Sequence, residues 1–556
     1  MNRRNFLKSV SAVPFALLAG GCGFNHISAG TFEKPVRRRP NVVFIITDDH
    51  ARHYFNNLPE GRDEKGRKRN ISPNIDRLIR EGTWLNQMYV SSTVCTPSRF
   101  SCHTGLYAGR ATNSQFSKMT AENAGQPCVQ WNTRLTTRTP NIAKVLSGEG
   151  YLTGFVGKTH GIEVPASIKV ARDADPTAPK ADRIFRQNQQ NLVEAIKNYG
   201  FDYAASIYHG NVPKQVCRKL EHHNTDWIVK GALDFLDSAE AGDKPFFLYM
   251  ATTVTHGPSP KEGMYTGNRL ATPAGLLDEP LDVMPSRESI KERIRKAGLE
   301  PKSGNMTWLD DGIGALLEKL RQTGQYDNTV IFFINDHGVE NGGKGSLYQG
   351  GVNTQAFVWG KGVRAQISEE IVQNVDFAPT IFDICSVPAE KRYKTDGISL
   401  VPLLTSPGGS GRESAYCEIG LARAVIKDGF KYYAYRPTPR IENMSPKERA
   451  RNLRAHNASK ISAGITPKVT DPNTPFGHLG LTPGGNDATQ PCIAAHPHYF
   501  DRDQLYDLNK DPLELKNLAN LGQYQRRLKE LKKLLGEYLR GLPGTYAEYS
   551  QITSTE

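Results

Sequence analysis

Three continuous apolar runs, each ending in polar or acidic residues, dominate the hydrophobic pattern of the chain. They span residues 40–47, 245–250 and 328–334. A run without polar alternation is typical of a strand buried on both faces, as in a parallel sheet. Helical patterns lie between these runs, beginning at Ser72-Pro73-Asn74 and Thr139-Pro140-Asn141 and covering residues 226–239 and 308–320. Alternating strands and helices predict an α/β fold, with a large mostly parallel sheet sandwiched by helices.

The pattern changes after about residue 404. Short strands are predicted over residues 413–419, 423–427, 431–435 and 504–508, followed by a basic amphipathic helix over 524–542. They predict a smaller C-terminal antiparallel sheet, with residues 436–500 as an insertion between its strands. We therefore expect a main domain at 40–405 and an α+β subdomain at 406–556. Residues 161–225 show no periodic pattern, so we expect an elaborated loop region there. Residues 257–300 are rich in Pro and Gly, and their pattern predicts no particular structure.

The amino terminus has the features of a targeting segment rather than of the fold. Asn2-Arg3-Arg4-Asn5-Phe6-Leu7-Lys8 is a twin-arginine export pattern, followed by an apolar run over residues 9–20. Ala19-Gly20-Gly21-Cys22 resembles a lipoprotein cleavage box, which would make Cys22 a lipid anchor; ordinary signal cleavage is the alternative. We expect an export signal at 1–22, a linker at 23–39, and a periplasmic or cell-surface protein. The sequence contains no run of about 18 apolar residues, so we expect no membrane-spanning helix.

Composition narrows the class of partner. The formal charge of +13 favours anionic partners, either nucleic acid or a sulfated polysaccharide. No helix-turn-helix, zinc-finger or aromatic RNA-binding signature accompanies the charge, so we expect no nucleic-acid partner. The eight cysteines have no tight spacing and predict neither a zinc site nor a disulfide framework.

One cysteine has a chemically distinctive neighbourhood, Cys95-Thr96-Pro97-Ser98-Arg99. Pro97 fixes φ and favours the first turn of a helix, which would leave Cys95 at the positive amino end. Such an end binds anions, and Arg99 adds a permanent cation. We expect Cys95 to be an exposed nucleophile at the edge of the sheet; for an isolated cysteine, a free and partly buried side chain in a loop would be the alternative.

Acidic residues follow two of the predicted buried strands, as Asp48-Asp49 and Asp336-His337. Strand ends of an open α/β sheet meet at one edge, where ligands gather. Carboxylates brought together repel one another unless a cation joins them, and oxygen ligands suit Ca²⁺ or Mg²⁺. Helix capping by the acids is the alternative for either pair alone.

The stretch from Cys95 to Arg99, closed by Thr104-Gly105, resembles the first signature of the type I sulfatases of the alkaline-phosphatase-like superfamily. Residues 150–160, ending Gly157-Lys158-Thr159-His160, resemble the second signature, with Thr159 where relatives have an aromatic residue. His103 replaces the usual aliphatic residue before Thr-Gly, a change we expect to affect only the packing behind the motif. The resemblance covers about residues 40–405, the catalytic domain of that family, and 504–519.

The resemblance implies a mechanism and a set of site residues. Cys95 would be oxidised to formylglycine (3-oxoalanine) by a maturation enzyme, and its hydrate would attack sulfur. One divalent ion, usually Ca²⁺, would be bound by Asp48, Asp49, Cys95, Asp336 and His337. Arg99 would hold the ionised nucleophile, Lys158 and Lys344 would neutralise sulfate oxygens, His256 would protonate the leaving alcohol, and His160 would accept the proton that releases sulfate.

The expected activity is hydrolysis of a sulfated carbohydrate, because export and a basic chain favour it over a small aryl or choline ester. Two alternatives remain open. Phosphonate or phosphate ester hydrolases of the same superfamily use the same positions, and a surface protein that binds sulfated glycan without cleaving it is the other. The motifs select no sugar, linkage position or oligomeric state.

Overall fold

The computed structural model describes residues 39–238, 244–462, 466, 467, 469–472 and 490–551. Its main sheet has eight strands, numbered below in chain order with a separate two-stranded hairpin. They are β1 (Asn41–Thr47), β2 (Thr83–Tyr89), β3 (Leu152–Lys158), β4 (Tyr203–Tyr208), β5 (Phe246–Ala251), β8 (Thr329–Asn335), β9 (Ala356–Gly360) and β10 (Gln366–Gln373); the hairpin is β6 (Ala271–Thr272) and β7 (Gly275–Leu276). The order across the sheet is β10-β2-β9-β8-β1-β5-β3-β4. Only β9 runs antiparallel to its neighbours β8 and β2, so the predicted mostly parallel sheet is confirmed.

Helices cover both faces of this sheet. Those of the main part are α1 (Pro73–Glu81), α2 (Cys95–Thr104), α3 (Ser114–Glu122), α4 (Ile142–Gly148), α5 (Pro179–Lys197), α6 (Thr225–Asp237), α7 (Arg287–Lys296), α8 (Gly304–Gln322), α9 (Gln349–Val352), α10 (Phe377–Ile384) and α11 (Val401–Thr405). In the central strand β1, Phe44 packs in one apolar cluster with Phe377 of α10. Its neighbour Ile45 packs in the opposite cluster with Leu316 of α8. Successive strand residues point to opposite faces, so each face of the sheet has its own core.

The helix boundaries follow local capping. Helix α1 begins at Pro73 and ends before Gly82, as predicted. Helix α4 begins at Ile142, so the predicted start at Thr139-Pro140-Asn141 is wrong by two residues. Asn141 is the cap, and its side chain accepts a hydrogen bond from Lys144 N at 3.1 Å.

The segment expected to be a loop region, and the one for which no structure was predicted, both contain regular structure. Residues 161–225 include α5 and β4, and residues 257–300 include α7. The buried stripe of α5 consists of Ala181, Phe185, Asn188, Leu192 and Ile196. A polar residue in the middle of this stripe interrupts the apolar period, which hid the helix from the pattern. Asn188 is satisfied instead by hydrogen bonds with the backbone of Ile168, at 2.7 and 2.9 Å.

The C-terminal part forms the predicted antiparallel sheet. Its strands are β11 (Ala415–Ile419), β12 (Ala422–Lys427), β13 (Phe430–Tyr435) and β14 (Asp503–Asp507), paired in that order. The insertion between β13 and β14 contains α12 (Pro439–Glu442), α13 (Pro446–Ser462) and α14 (Gln490–Ala495), and α15 (Gln525–Arg540) packs Leu531 and Leu535 against this sheet. The described residues from Arg39 onward form one compact unit, and the division at residue 405 stays a prediction.

The predicted export signal and nearly all of the predicted linker lie outside the described residues. None of the helices described is long and apolar enough to cross a membrane. All cysteines in the described part of the chain are buried and unpaired.

Candidate active site

The carboxyl ends of β1 and β8 bring the two acidic pairs together. The strands run parallel with Thr47 opposite Asn335, so Asp48-Asp49 and Asp336-His337 leave the sheet side by side. Asp49 N donates to Asp336 Oδ1 at 3.2 Å, and His337 Nε2 lies 3.2 Å from Asp49 Oδ1. Adjacent parallel strands thus create a compact group of carboxylates and imidazole from residues almost 290 positions apart.

Cys95 is the first residue of α2, as the sequence predicts. Its Sγ lies 3.6 Å from Asp48 Oδ1 and 3.6 Å from His337 Nε2. The expectation that Cys95 is exposed is wrong, because its exposed fraction is 0%. Gly345 N donates to Thr93 O at 3.0 Å, which fastens the loop that carries Lys344 over the start of α2.

Arg99 lies one turn further along α2 and is fully buried. Its Nη2 is 3.1 Å from Asp336 Oδ2 and 3.3 Å from Asp48 Oδ1. Burial alone would lower the pKa of Arg99, but these two carboxylates raise it, so the guanidinium remains charged. Arg99 Nη1 is buried without a hydrogen-bond partner among the described residues, which leaves one donor for a bound group.

Two lysines reach the acidic pair from opposite sides. Lys158, the last residue of β3, forms an ion pair with Asp48, and Lys344 Nζ lies 2.7 and 2.6 Å from the carboxylate oxygens of Asp49. Burial alone would raise the pKa of Asp48, but Lys158 and the other nearby cations hold it well below its ordinary value. Burial alone would likewise raise the pKa of Asp49, but the nearby Lys344 ammonium outweighs it, so the pKa of this carboxyl is also lowered. Both carboxylates are therefore ionised at neutral pH.

His256 lies on the exposed side of this group. Its Nε2 is 3.6 Å from Asp49 Oδ2, and its Nδ1 is 2.8 Å from the carbonyl oxygen of Gly257. Because a carbonyl oxygen only accepts, Nδ1 is the donor of this bond. This contact directs Nε2 toward Asp49 and leaves it as the nitrogen that exchanges a proton with another group.

His160 lies beyond the end of β3, with its Nε2 3.0 Å from the position that a Cβ on Gly210 would take. Its ring therefore packs against the turn after β4. His160 belongs to neither group of converging ligand atoms found among the described residues, and its assignment as proton acceptor stays a prediction.

Two supports of the site carried no recognisable signal in the sequence. Asn374 Nδ2 donates to Ser98 O and Oγ at 3.2 and 3.1 Å, and Ser98 Oγ donates to the carbonyl of Asp336. His223 is buried, and burial lowers its pKa to about 4. The nearby charges of Asp48, His256 and Lys158 have smaller effects on this pKa. His223 stands next to Asn224, the capping residue of α6. A helix-capping Asn is common, so this position gave no indication of a site.

The donor atoms fit a divalent cation. One group of converging ligand atoms comes from Asp48, Asp49, Cys95 and His256, and a second from Cys95, Asp336 and His337, with the atoms of each group within 4.8 Å of one another. Three of the six residues, Asp48, Asp49 and Asp336, offer carboxylate oxygens, which suit a hard cation such as Ca²⁺ or Mg²⁺. Lys158, Lys344 and Arg99 balance the charge of the three carboxylates, so a bound divalent cation would leave this group with a net positive charge that attracts anions.

The insertion of the small sheet contacts the loop that carries Lys344. A Cβ on Gly342 would lie 2.7 Å from Pro491 Cβ, and Cys492 Sγ donates to Ser346 Oγ at 3.0 Å. Helix α14 therefore contacts a residue that precedes Lys344 in the sequence and one that follows it. A short segment of the insertion thereby helps to position Lys344 in the site.

Comparison with known proteins places this geometry in context. A family model described as Sulfatase matches residues 40–387. The extracellular sulfatase SULF-1 homolog of Drosophila melanogaster is 26% identical over 68% of this chain and 32% of its own length. An N-acetylglucosamine-6-O-sulfatase of Bacteroides thetaiotaomicron is 22% identical over 94% of this chain and 90% of its own length.

The match thus spans about a third of the Drosophila relative and nearly all of the bacterial one. Among solved structures, a protein in complex with its substrate D-glucosamine-2-N,6-O-disulfate has a TM-score of 0.53. It is 19% identical over 90% of this chain and 98% of its own, a likeness that concerns the fold.

Proposed function

This chain belongs to the sulfatase family of enzymes, and on that basis we propose that it hydrolyses a sulfate ester of a carbohydrate. The observation that carries the proposal is the position of Cys95. Its Sγ lies within 3.6 Å of both Asp48 and His337, at the amino end of α2. Two lysines and a buried arginine surround it, an arrangement that suits a nucleophile for an anionic ester.

Two chemical groups complete this site in the proposal. A divalent cation, Ca²⁺ in preference to Mg²⁺, would be held by Asp48, Asp49, Asp336, His337 and the residue at position 95, and would supply Lewis acidity. Conversion of Cys95 to formylglycine by a maturation enzyme would supply a hydroxyl nucleophile on the hydrated aldehyde. The amino end of α2 and Arg99 would favour the ionised form of that hydroxyl.

The remaining charged groups bind the ester and move protons. Lys158 and Lys344 are held by Asp48 and Asp49 and would contact sulfate oxygens, where negative charge shifts as the ester bond breaks. His256 would donate a proton from Nε2, which lies 3.6 Å from Asp49, to the leaving sugar oxygen. His160 would accept the proton whose removal releases sulfate.

The carbohydrate part of the proposal rests on the relatives and on charge. The bacterial relative is an N-acetylglucosamine-6-O-sulfatase, and the structural neighbour was solved with a sulfated glucosamine as its substrate. The chain has a formal charge of +13, which attracts polyanions. We also propose export to the periplasm or cell surface through residues 1–22, with Cys22 as the site of a lipid anchor.

The test measures both the modification and the reaction. The protein is produced with a formylglycine-generating enzyme, loaded with Ca²⁺, and its peptide containing position 95 is weighed by mass spectrometry. Free sulfate is then measured over a panel of sulfated mono- and oligosaccharides, beside matched aryl sulfate and aryl phosphonate esters. We expect formylglycine, sulfate release from one sugar position, and loss of at least about three orders of magnitude in Cys95→Ala.

Three outcomes would contradict parts of this proposal. Full activity with unmodified Cys95 would exclude the formylglycine mechanism. A higher kcat/KM for the phosphonate would assign the chain to phosphorus esters. Tight glycan binding by converted enzyme, without any sulfate release, would indicate a binding protein.

A further inference from the structure

A cavity of about 840 Å³ borders the candidate active site. One wall consists of His53, Tyr54 and residues 63–65 and 67–70, and the other of residues 297–300, 302 and 303, with Thr255 and Ser259 between them. Thr255 Oγ1 donates to Asp49 O at 3.1 Å, and Thr255 immediately precedes His256. Thr255 and Ser259 of the lining flank the proposed general acid in the sequence, so the cavity lies beside His256 although His256 itself is not part of the lining. Its volume is in the range of ligand-binding pockets.

The lining of this cavity has an excess of positive charge. Its cations are Lys65, Arg67, Lys68, Arg69 and Lys302, and its acids are Asp63, Glu64 and Glu300. Arg67 is paired with Asp63 at 2.7 Å, and Lys68 with Asp76 at 2.8 Å. Within the described part of the chain, Lys65 and Lys302 form no ion pair, and Arg69 uses only Nε, toward Arg62 O at 2.7 Å. The acids Glu64 and Glu300 are likewise without an ion pair among the described residues, so the three available cations leave this part of the lining with a net positive charge toward an anion.

The turn that presents Lys65 is fixed by its own hydrogen bonds. Asp63 Oδ1 accepts from the backbone nitrogens of Lys65 and Arg67 at 3.0 and 2.8 Å. Gly66 takes a φ of +74°, which the tight turn requires, and its N donates to Asp63 O at 2.9 Å. An antiparallel β-bridge between the backbones of Arg62 and Lys68 joins the two ends of this turn. Because this backbone is held in place, little ordering is needed when a ligand binds.

We infer that this cavity binds the sugar next to the one that loses sulfate, through a second anionic group contacted by Lys65, Arg69 and Lys302. The inference rests on the proposed function and adds a substrate class to it, an oligosaccharide with at least two negative charges. The anion is a sulfate or a carboxylate on the neighbouring sugar, since both match a cluster of lysine and arginine.

The test compares substrates with and without the second anion. Disaccharides with the scissile sulfate are prepared with a second sulfate, a carboxylate or no charge on the neighbouring sugar, beside an aryl sulfate. The double variant Lys65→Ala/Lys302→Ala is compared with wild type, and Lys391→Ala, an exposed lysine outside the cavity, is the matched control.

For the doubly charged disaccharides we expect the double variant to lose about 10-fold or more in kcat/KM, mainly through KM, because charge-assisted hydrogen bonds are lost. The uncharged disaccharide and the aryl sulfate should change by less than about twofold, as should all substrates of the control. The disaccharide with the larger loss identifies the anion as sulfate or carboxylate. Equal losses on all substrates, or no loss on any, would overturn the inference.

A binding measurement separates this inference from the proposed function. Calorimetric titration of each disaccharide into the same proteins reports on the cavity even if no substrate is hydrolysed. Weaker binding of doubly charged disaccharides by the double variant alone would support the cavity without turnover. Unchanged binding would contradict it whether or not the enzyme releases sulfate.

Discussion

Arg99 and Asp336 form an ion pair at 3.1 Å in which neither side chain has any exposed surface. The same guanidinium nitrogen lies 3.3 Å from Asp48, so one cation balances carboxylates from two strands. A buried charge is tolerated only while its partner is present. Substitutions at this pair therefore act on both folding and chemistry, and experiments on the site have to separate the two effects.

Asp336→Asn retains the shape of the side chain and removes its charge. We expect loss of nearly all activity and of the rise in Tm that added Ca²⁺ produces in the chelator-treated wild type, because a ligand of the proposed cation is lost. Asp336→Ala should in addition lower the free energy of unfolding, by no more than about 3–5 kcal/mol, since it also removes a hydrogen-bond acceptor of Arg99 and leaves Asp48 as the only carboxylate beside the guanidinium. Activity and urea unfolding are measured with and without Ca²⁺. Normal turnover by thoroughly demetallated wild type would refute the cation proposal.

His256→Ala should affect substrates according to their leaving group. A sugar alcohol needs a proton as the ester bond breaks, whereas a nitrophenolate leaves without one. We expect kcat to fall about 10²–10⁴-fold for a sugar sulfate and much less for p-nitrophenyl sulfate. The dependence of log kcat on leaving-group pKa, measured over a series of aryl sulfates, should become steeper in the variant. An unchanged slope would assign the proton donation to another residue.

His223 and Thr253 should act as a pair that positions His256. His223 Nδ1 lies 2.9 Å from Thr253 Oγ1, and the carbonyl of Thr253 accepts from His256 N at 3.1 Å. We expect Thr253→Val and His223→Ala each to lower kcat by about 10-fold with little change in Tm, and the double variant to be no worse than either. Thr253→Ser retains the hydroxyl and should retain activity. Additive losses would show that the two residues act independently.

His103 should make the protein sensitive to acid. Burial beside Tyr249, whose ring centroid is 4.1 Å away, lowers the pKa of His103 to about 3. The unfolded chain gains a proton near pH 6.5 that the folded protein excludes, so stability falls as the pH drops from 6.5 toward 3. In His103→Leu this loss should be absent. From pH 7.5 to pH 5 the variant should gain about 2 kcal/mol relative to wild type in urea unfolding. A difference that does not change with pH would show that His103 gains its proton over the same pH range in the folded and the unfolded protein.

The sequence predicted the parts of this molecule in which local pattern and global structure agree. The strand before Asp48, the strand before Asp336 and the helix that begins at Cys95 all lie where the pattern predicted them. The predictions that failed concern features that depend on contacts between segments far apart in the sequence. Asn188 interrupts the period of α5 because its partner is the backbone of Ile168. Cys95 is buried in a group with Asp48 and His337, which come from distant parts of the chain.

The residues of the candidate site likewise fall into those that the sequence revealed and those that it did not. Its acids and cations stood out because they follow buried strands or accompany a motif. Asn374 did not, because it supports Ser98 from a position 276 residues away, a contact that no pattern of neighbouring residues reveals. The role of His160 remains a prediction, since its placement against Gly210 leaves its partner in the reaction untested.

The packing of α14 against the loop of Lys344 sets a condition for engineering this enzyme. Loop grafting is a common route to new selectivity, and the insertion between β13 and β14 is an obvious segment to exchange. Pro491 fills the space beside Gly342, and Cys492 holds Ser346, so a graft that omits them would release a cation that the chemistry requires. Chimeras that keep residues 490–495 and vary only the preceding part of the insertion should retain turnover while their selectivity changes.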